Sequence, residues 1–370
     1  MNEKNTIFRK NLVEKYLLDF GFFNELKESY KGKTILVTGG AGAIGSNLTI
    51  ALSALVGDKG RVIVLDNLSS SKTKNPWNII PMDNVLFVYG DISDDIILKR
   101  LFHEKLDLVF HLAAFFANQN SVDYPENSAN TDITGLIKIL EYSVISQVDR
   151  FIYASSGCSI YGSHAELPVK EDFISMHLTT PYQINKMAGE MYCNFYNHHY
   201  GLETVNCRFF NSYGPGEIPG QYRNVIPNFI YWSMNDAEIP ITGEGTETRD
   251  FTYVLDLVQG LLKSGVSDKC VGENFNLSAG KEISIMEMAK KVSHATGKEL
   301  KIDYRPRRKW DTKMRMLAST DKAKKIIGYE PKVDFDDGFL KNVEWFKMNW
   351  DQIKLDADFN PGMNSAARKA

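Results

Sequence analysis

Between Thr34 and about Arg208 the chain alternates between two rhythms of apolar residues. Short runs that are apolar nearly throughout, such as Leu108-Val-Phe-His-Leu112, predict strands buried on both faces, as in a parallel sheet. Strands are expected at 34–38, 61–65, 85–89, 107–111, 150–155 and 203–208. Longer segments with apolar residues at helical spacing lie between them and predict helices near 43–56, 93–104, 126–146 and 181–200. Strands alternating with helices predict an α/β fold, a doubly wound parallel sheet with ligands outside the carboxyl ends of its strands.

The flanks read differently. In residues 1–31, Ile7, Phe8, Leu12, Tyr16, Leu17, Phe20 and Phe22 recur roughly at helical spacing between charged residues. One or two amphipathic helices on the domain or on a neighbouring subunit fit this pattern, and so does a solvated, frayed arm. After Arg208 the rhythm loosens. Gly214-Pro-Gly216 and Pro219-Gly220 mark a long loop, followed by a helix near 225–235, a short strand at Pro240–Thr242 and a helix from Leu255. The expected division is a helical extension (1–31), a dinucleotide-binding domain (32–210), and a smaller C-terminal substrate-binding lobe (211–354) with segments returning to the sheet. The tail (355–370), with Asn360-Pro-Gly-Met-Asn-Ser365, reads as loop-like and mobile.

Chemistry enters at the first strand-to-helix turn, Thr34-Ile-Leu-Val-Thr-Gly-Gly-Ala-Gly-Ala-Ile-Gly-Ser46. A strand turning sharply into a helix leaves the first N–H groups and the positive end of the helix dipole open to a pyrophosphate. Gly39 makes the turn, Gly42 lets backbone approach the phosphates, and Gly45 lets helix and strand pack closely, as in a Rossmann-like domain. The second strand ends in Asp66, the expected partner of an adenosine ribose. A carboxylate there repels a 2′-phosphate, so NAD is favoured over NADP.

A second signal is Thr180-Pro-Tyr-Gln-Ile-Asn-Lys186. Thr180, Pro181 and Gln183 specify a helix start. Tyr182 and Lys186 then stand one turn apart on one face. A phenol is a weak base at neutral pH, and a neighbouring ammonium or nicotinamide cation favours its ionised form. Ser155-Ser156 ends the preceding strand, where such a pair would need a hydroxyl partner.

Composition narrows the field. Hydrophobic residues (43%) and charged ones (24%) describe a globular chain, and a net charge of −3 offers no broad basic surface for nucleic acid or anionic membrane. No apolar run is long enough for a membrane span or a signal peptide. Cys158, Cys193, Cys207 and Cys270 are scattered, which argues against a zinc site or disulfide scaffold and fits a reducing cytoplasm. No metal site is expected: His111 ends a buried strand and reads as a core histidine, and His198-His199 as surface residues.

The chain resembles the extended short-chain dehydrogenase/reductase family, in particular its nucleotide-sugar epimerases and dehydratases. The resemblance runs from about Lys33 to Glu330. It rests on Thr38-Gly-Gly-Ala-Gly-Ala-Ile-Gly45, Asp66-Asn67, Asp91-Ile92, His111-Leu-Ala-Ala114, Ser155-Ser156, Tyr182-x-x-x-Lys186, Arg208-Phe-Phe-Asn-Ser-Tyr-Gly-Pro215 and Arg249-Asp-Phe-Thr-Tyr-Val254. It implies that Gly39, Gly42, Ala43, Ile44 and Gly45 hold the NAD pyrophosphate, and Asp66 and Asn67 the adenosine ribose. Asp91 and Ile92 would contact adenine, Leu112, Ala113 and Ala114 the middle of the cofactor, and Phe209 the nicotinamide. Lys186 would bind the nicotinamide ribose and tune Tyr182, while Ser156 would hold the substrate hydroxyl. Asn211 and Arg249 would grip the diphosphate of a nucleotide sugar. A guanidinium suits that task because it can bind two oxygens at once. Arg305 matches a later arginine with the same duty, although Arg305-Pro-Arg-Arg308 departs from the commoner Arg-Pro-Gly-Asp. Asn224 and Val225 lie where the family's base-binding loop runs, and Phe115 and Phe116 would line the sugar pocket. The resemblance also implies a homodimer through the helices near 126–146 and 181–200.

The departures bear on the reaction. Sugar 4,6-dehydratases carry Asp-Glu straight after the catalytic Ser/Thr, and decarboxylases a Glu in that region. Here the stretch is Ser156-Gly-Cys-Ser-Ile-Tyr161, without a carboxylate and one residue longer, so either Ser156 or Ser159 faces the sugar. The expected reaction is that of a UDP-glucose 4-epimerase-like enzyme: oxidation at C4 to a transient 4-keto sugar with Tyr182 as base, then return of hydride to the other face. Ala154-Ser-Ser-Gly-Cys158 also resembles the 3,5-epimerases, in which a cysteine moves ring protons. Their partner lysine has no counterpart between Gly214 and Phe229, and the favoured reading of Cys158 is a buried, unreactive thiol. The charges at Arg305–Arg308 and Lys313–Arg315 fit either a solvated face or a site for an anionic ligand. A sensor that binds NAD without catalysis is the alternative from another class.

Overall fold

The computed structural model describes residues 3–359. Seven strands form one parallel sheet: β1 Thr34–Thr38, β2 Arg61–Asp66, β3 Val85–Tyr89, β4 Leu108–His111, β5 Arg150–Ser156, β6 Glu203–Phe209 and β7 Asn274–Leu277. Their order is β7-β6-β5-β4-β1-β2-β3, so the direction of winding reverses between β1 and β4 and opens a crevice there. The apolar runs of β1, β2 and β4 are buried because helices cover both faces of the sheet. The expected α/β fold is the one observed.

Element ends shift where side-chain chemistry overrides the apolar rhythm. The helix expected near 93–104 spans Asp95–Leu101, because the Asp94 carboxylate accepts the N–H groups of Ile96 and Ile97 and starts it late. The rod expected at 126–146 is three segments in line, with a π-helical turn at Asn130–Gly135 between helices Pro125–Ala129 and Leu136–Ile145. Such a turn inserts one residue and re-aims those beside it, a change that a period of apolar residues does not report.

The N-terminal extension is docked, not frayed. Helices Glu3–Asp19 and Phe22–Tyr30 bury Val13, Leu17, Leu26 and Tyr30 against the helix Ala43–Val56 and its neighbours. Polar groups set its seating as much as apolar ones: Ile7 is 52% exposed while Arg9 is fully buried. The Tyr16 hydroxyl donates to Asp256 at 2.7 Å, and the Tyr30 hydroxyl to the Leu262 carbonyl at 2.7 Å.

In the C-terminal half, the helix Val254–Ser264 packs on Ala43–Val56 and the sheet, while the helix Val225–Met234 and two strand pairs contribute residues to the crevice wall. Ile239–Thr242 pairs in parallel with Ile302–Arg305, and Thr248–Asp250 antiparallel with Glu282–Ser284. The loose tail expected from 355 is corrected as far as 359. The helix Trp350–Asp356 ends on a carboxylate that accepts from Ser71, Thr73 and Trp77, and Phe359 packs on Tyr231 and Trp232. The Asn360–Ser365 stretch lies outside the described residues.

Candidate active site

A single cavity of about 1090 Å³ runs from the glycine turn across the ends of β1, β4, β5 and β6 into the C-terminal lobe. At its floor, Gly39 has φ +69°, and a Cβ there would stand 2.7 Å from the Ala113 nitrogen. A Cβ at Gly45 would stand 2.4 Å from the Gly39 carbonyl oxygen. Glycine is thus required at both ends of the turn, and the helix Ala43–Val56 starts with its N–H groups facing the cavity. Asp66 braces the turn, accepting from Ala41 N at 2.9 Å and Leu68 N at 2.8 Å. Asn67 donates to Asp91, and burial pushes the Asp66 carboxyl up. Ile44, Ile92, Leu112, Ala113, Ala114 and Phe209 line the same channel. A cradle that any side chain would fill, an open helix start and a carboxylate at the next strand end together fit NAD.

The residues expected to react meet farther along. Thr180 caps the helix Pro181–Tyr200 by accepting from Gln183 N at 3.3 Å. Lys186 points back under β5, its Nζ 2.8 Å from the Ala154 carbonyl and 5.7 Å from the centre of the Tyr182 ring. The Ser156 hydroxyl stands within hydrogen-bonding reach of the Tyr182 phenol and donates to Ser159 at 3.0 Å. The structure therefore sets Ser156 between Tyr182 and Ser159. Phe116 meets Tyr182 edge-on at 5.9 Å, while Phe115 packs on Tyr124. Beneath them Arg208 and Glu190 form a buried ion pair at 2.8 Å, with Ser155 donating to Glu190 at 2.5 Å, which ties β5, β6 and the helix together.

The electrostatics of the buried pair oppose ionisation of the phenol. Burial pushes the Tyr182 phenol far above its usual range, and the carboxylate of buried Asp132 pushes it further; only the Ser156 contact opposes them. Burial also loosens the Lys186 proton, with Asp132 and Glu190 holding it on. Without an added cation, desolvation outweighs the help a neighbouring ammonium gives a phenolate. Asp132, in the π-helical turn, accepts from Phe115 N at 2.7 Å and Ser128 at 3.0 Å.

Cys158 follows the short Gly157 step. Burial pushes its thiol up to about 11, and the Asn211 N–H donates to its sulfur at 3.1 Å. A lysine does stand beside it, from a different segment than the Gly214–Phe229 loop, which holds none: Lys313 Nζ donates to the Cys158 carbonyl. Gly157 has no room for a side chain, since a Cβ would lie 2.1 Å from the buried Phe210 ring.

Asn211 lines the cavity and donates to the Asp250 carbonyl at 3.3 Å. Arg249 faces the same space, paired with Asp311 at 3.0 Å. Arg305 also lines it, but from an exposed position and tied to Asp303 at 2.7 Å. Asn224 donates to Glu217 at 2.6 Å, and Val225 begins its helix. His111 is a core residue bonded to Thr38 at 2.9 Å, its pKa lowered to about 3 by burial; His198 and His199 are exposed. Among the described residues no cluster suits a metal ion, and no helix is long and apolar enough to cross a membrane. Sequence reasoning missed Asp132, Glu217, Arg223 and Trp310 as cavity or near-cavity residues, while Lys313, one of the charges marked as a possible anion site, does line the cavity. Each missed residue is an isolated charge or ring in its own segment, with no local spacing to mark it.

Comparison with known proteins agrees with this geometry. The model of the "NAD dependent epimerase/dehydratase family" matches residues 35–277. A UDP-glucose 4-epimerase from Mycolicibacterium smegmatis is 32% identical over 312 residues, covering 84% of this chain and 98% of the relative. The solved structure of an epimerase from Methanothermobacter thermautotrophicus superposes with a TM-score of 0.89 at 50% identity, covering 92% of this chain and 99% of that one. A UDP-glucose 4-epimerase from Thermotoga maritima, solved with UDP-glucose, gives a TM-score of 0.79 at 35% identity over 86% of this chain and 99% of its own. The chain belongs to the NAD-dependent epimerase/dehydratase family, and its cofactor is NAD.

Proposed function

We propose that the protein is a nucleotide-sugar 4-epimerase in which Tyr182 is the base. NAD, when bound along Gly39–Gly45 and Asp66, supplies a hydride acceptor at C4 and a positive ring that favours the phenolate. Tyr182 takes the proton of the 4-hydroxyl and Ser156 holds the same oxygen. Lys186 holds the cofactor ribose and offsets the negative charge that develops at Tyr182. The resulting 4-keto sugar turns over in the cavity, and Tyr182 returns its proton when the opposite face is reduced. Asn211 and Arg249 hold the diphosphate, Arg249 by exchanging Asp311 for phosphate oxygens. Asn224 and Val225 border the base, Phe116 closes the sugar pocket over Tyr182, and Arg305 meets the substrate at the mouth.

The observation that carries this reading is the position after Ser156. Phe210 fills the space where a side chain at 157 would start, so no acid can stand there to eliminate water across C5 and C6. The test is incubation of the NAD-loaded protein with UDP-, GDP-, CDP- and dTDP-sugars and analysis by NMR. C4 epimers are expected; 4-keto-6-deoxy products or CO2 alone would refute the reading.

A second reading, in which Cys158 moves a proton at C3 or C5 of the ketone, draws support from the neighbouring Lys313 and is opposed by the high thiol pKa. Solvent deuterium entering C3 or C5 would establish it, since simple 4-epimerisation exchanges no ring C–H. We also propose a homodimer through the helix Pro181–Tyr200, whose Ile184, Met191 and Phe195 are exposed at spacings that share one face. Sedimentation of a Met191→Asp variant as a monomer, against a dimeric parent, is the expected result.

A further inference from the structure

Lys313 is a cation at the cavity wall that the scheme above leaves idle. Its ammonium donates to the carbonyl of Cys158, two residues past Ser156, so it sits at the sugar end of the cavity. The titratable groups around it are the neutral Cys158 thiol and the charged Arg249 and Asp311. Asp311 is already committed to Arg249 at 3.0 Å and to Arg307 at 3.8 Å. Asp250, the other carboxylate close to Cys158, accepts from Ser278 and from the backbone N–H groups of Ala279 and Ala318. Among the described residues Lys313 therefore makes no ion pair, and burial pushes its pKa down to about 8.

An ammonium withdrawn from water without an anionic partner is costly, and an anion arriving from the ligand removes that cost. A neutral hexose brings no charge to this point. The diphosphate has Asn211 and Arg249. We propose that Lys313 is a specificity residue for a carboxylate borne by the sugar, so that the preferred substrate is a nucleotide-diphosphate sugar acid, not a neutral hexose. The proposal rests on the 4-epimerase reading for its reaction, but its recognition step can be measured alone.

The experiment compares the NAD-loaded enzyme and its Lys313→Met and Lys313→Arg variants on UDP-glucuronate and UDP-glucose. Turnover is read by NMR and binding by calorimetry, with folding checked by thermal melting. The parent is expected to prefer the uronate by at least about tenfold in kcat/KM and in affinity. Lys313→Met should collapse that ratio at least about tenfold, and Lys313→Arg should keep most of it, because charge rather than shape is recognised. Equal losses for both sugars in Lys313→Met would place the ammonium at the diphosphate and overturn the proposal. So would a parent that does not discriminate. If neither sugar is epimerised, the ratio of their binding constants still decides the carboxylate site, and the wider panel of nucleotide sugars separately decides the 4-epimerase reading. If Lys313→Met does not fold, loss of preference in Lys313→Gln serves as the same test.

Discussion

Adding one methyl group at Gly157 should damage both the fold and the chemistry. An ideal Cβ there lies 2.1, 2.5 and 2.8 Å from three carbons of the Phe210 ring. Ordinary carbon contacts begin near 3.5 Å, so the closest approach is short by roughly 1.4 Å. Phe210 cannot swing into solvent, because it is fully buried and packed 6.2 Å from Tyr161. Either the ring or the Ser156–Cys158 backbone must move. Overpacking of this kind costs about 1–3 kcal/mol, which predicts a Tm lower by several degrees for Gly157→Ala. Because Ser156 is the adjacent residue, a displacement approaching 1 Å should also lower kcat about a hundredfold. The assay is calorimetric melting beside C4-epimerisation kinetics, with bound NAD measured in each sample. Phe210→Leu in the Gly157→Ala background makes room and should restore part of both quantities, giving a coupling well above the roughly 0.5 kcal/mol typical of independent sites. Parental Tm and kcat in Gly157→Ala, or purely additive losses in the double variant, would refute the steric argument.

Tyr182→Phe should lower kcat by about 10²–10⁴-fold while NAD content and Tm stay near the parent's, since the change removes a proton carrier from a buried site and leaves its ring; activity within tenfold of the parent would remove Tyr182 as the base. Burial pushes Glu217 up to about 7 from an ordinary 4.5. The folded chain then keeps a proton that the unfolded chain has released, so this group's contribution is complete at low pH and is lost as pH rises through 7. The Tm advantage of the parent over Glu217→Gln should accordingly shrink between about pH 5 and 7; an advantage that grows over that interval contradicts the assignment. Arg9, buried beneath the glycine turn, donates to Asn78 at 2.7 and 2.9 Å and to Ser46 at 2.8 Å, and Asn78 in turn holds the Ala41 and Gly216 carbonyls. Arg9→Met should lower stability by about 1–3 kcal/mol and weaken NAD binding several-fold, read by titration of apo protein; unchanged NAD affinity would confine the N-terminal helix to a structural role.

The legible parts of the molecule were those written locally. The strands β1, β2 and β4 are apolar runs with little polar interruption, and a run of that kind has one stable home, inside a sheet covered on both sides. Gly39 and Gly45 stand in a turn that admits no other residue, and the Tyr182–Lys186 helix carries its own cap. The N-terminal helices were only half legible. Their seating depends on Arg9 and Asn5, polar residues whose burial is stabilised by partners far along the chain. The π-helical turn at Asn130–Gly135 was illegible, because Asn-Thr-Asp-Ile-Thr-Gly holds a single large apolar residue and so carries no period that could report the change.

The sequence by itself determined the sheet, the dinucleotide turn and the presence of a tyrosine with a lysine one helical turn away. Each depends on residues within a few positions of one another, and so on backbone sterics and hydrogen bonds that act locally. Tertiary structure alone decided what those groups experience. Asp132 raises the Tyr182 phenol across 50 residues, Phe210 empties position 157 across 53, and Lys313 reaches Cys158 across 155. Desolvation and charge act through space, and only the folded chain says which charges share a dry cavity.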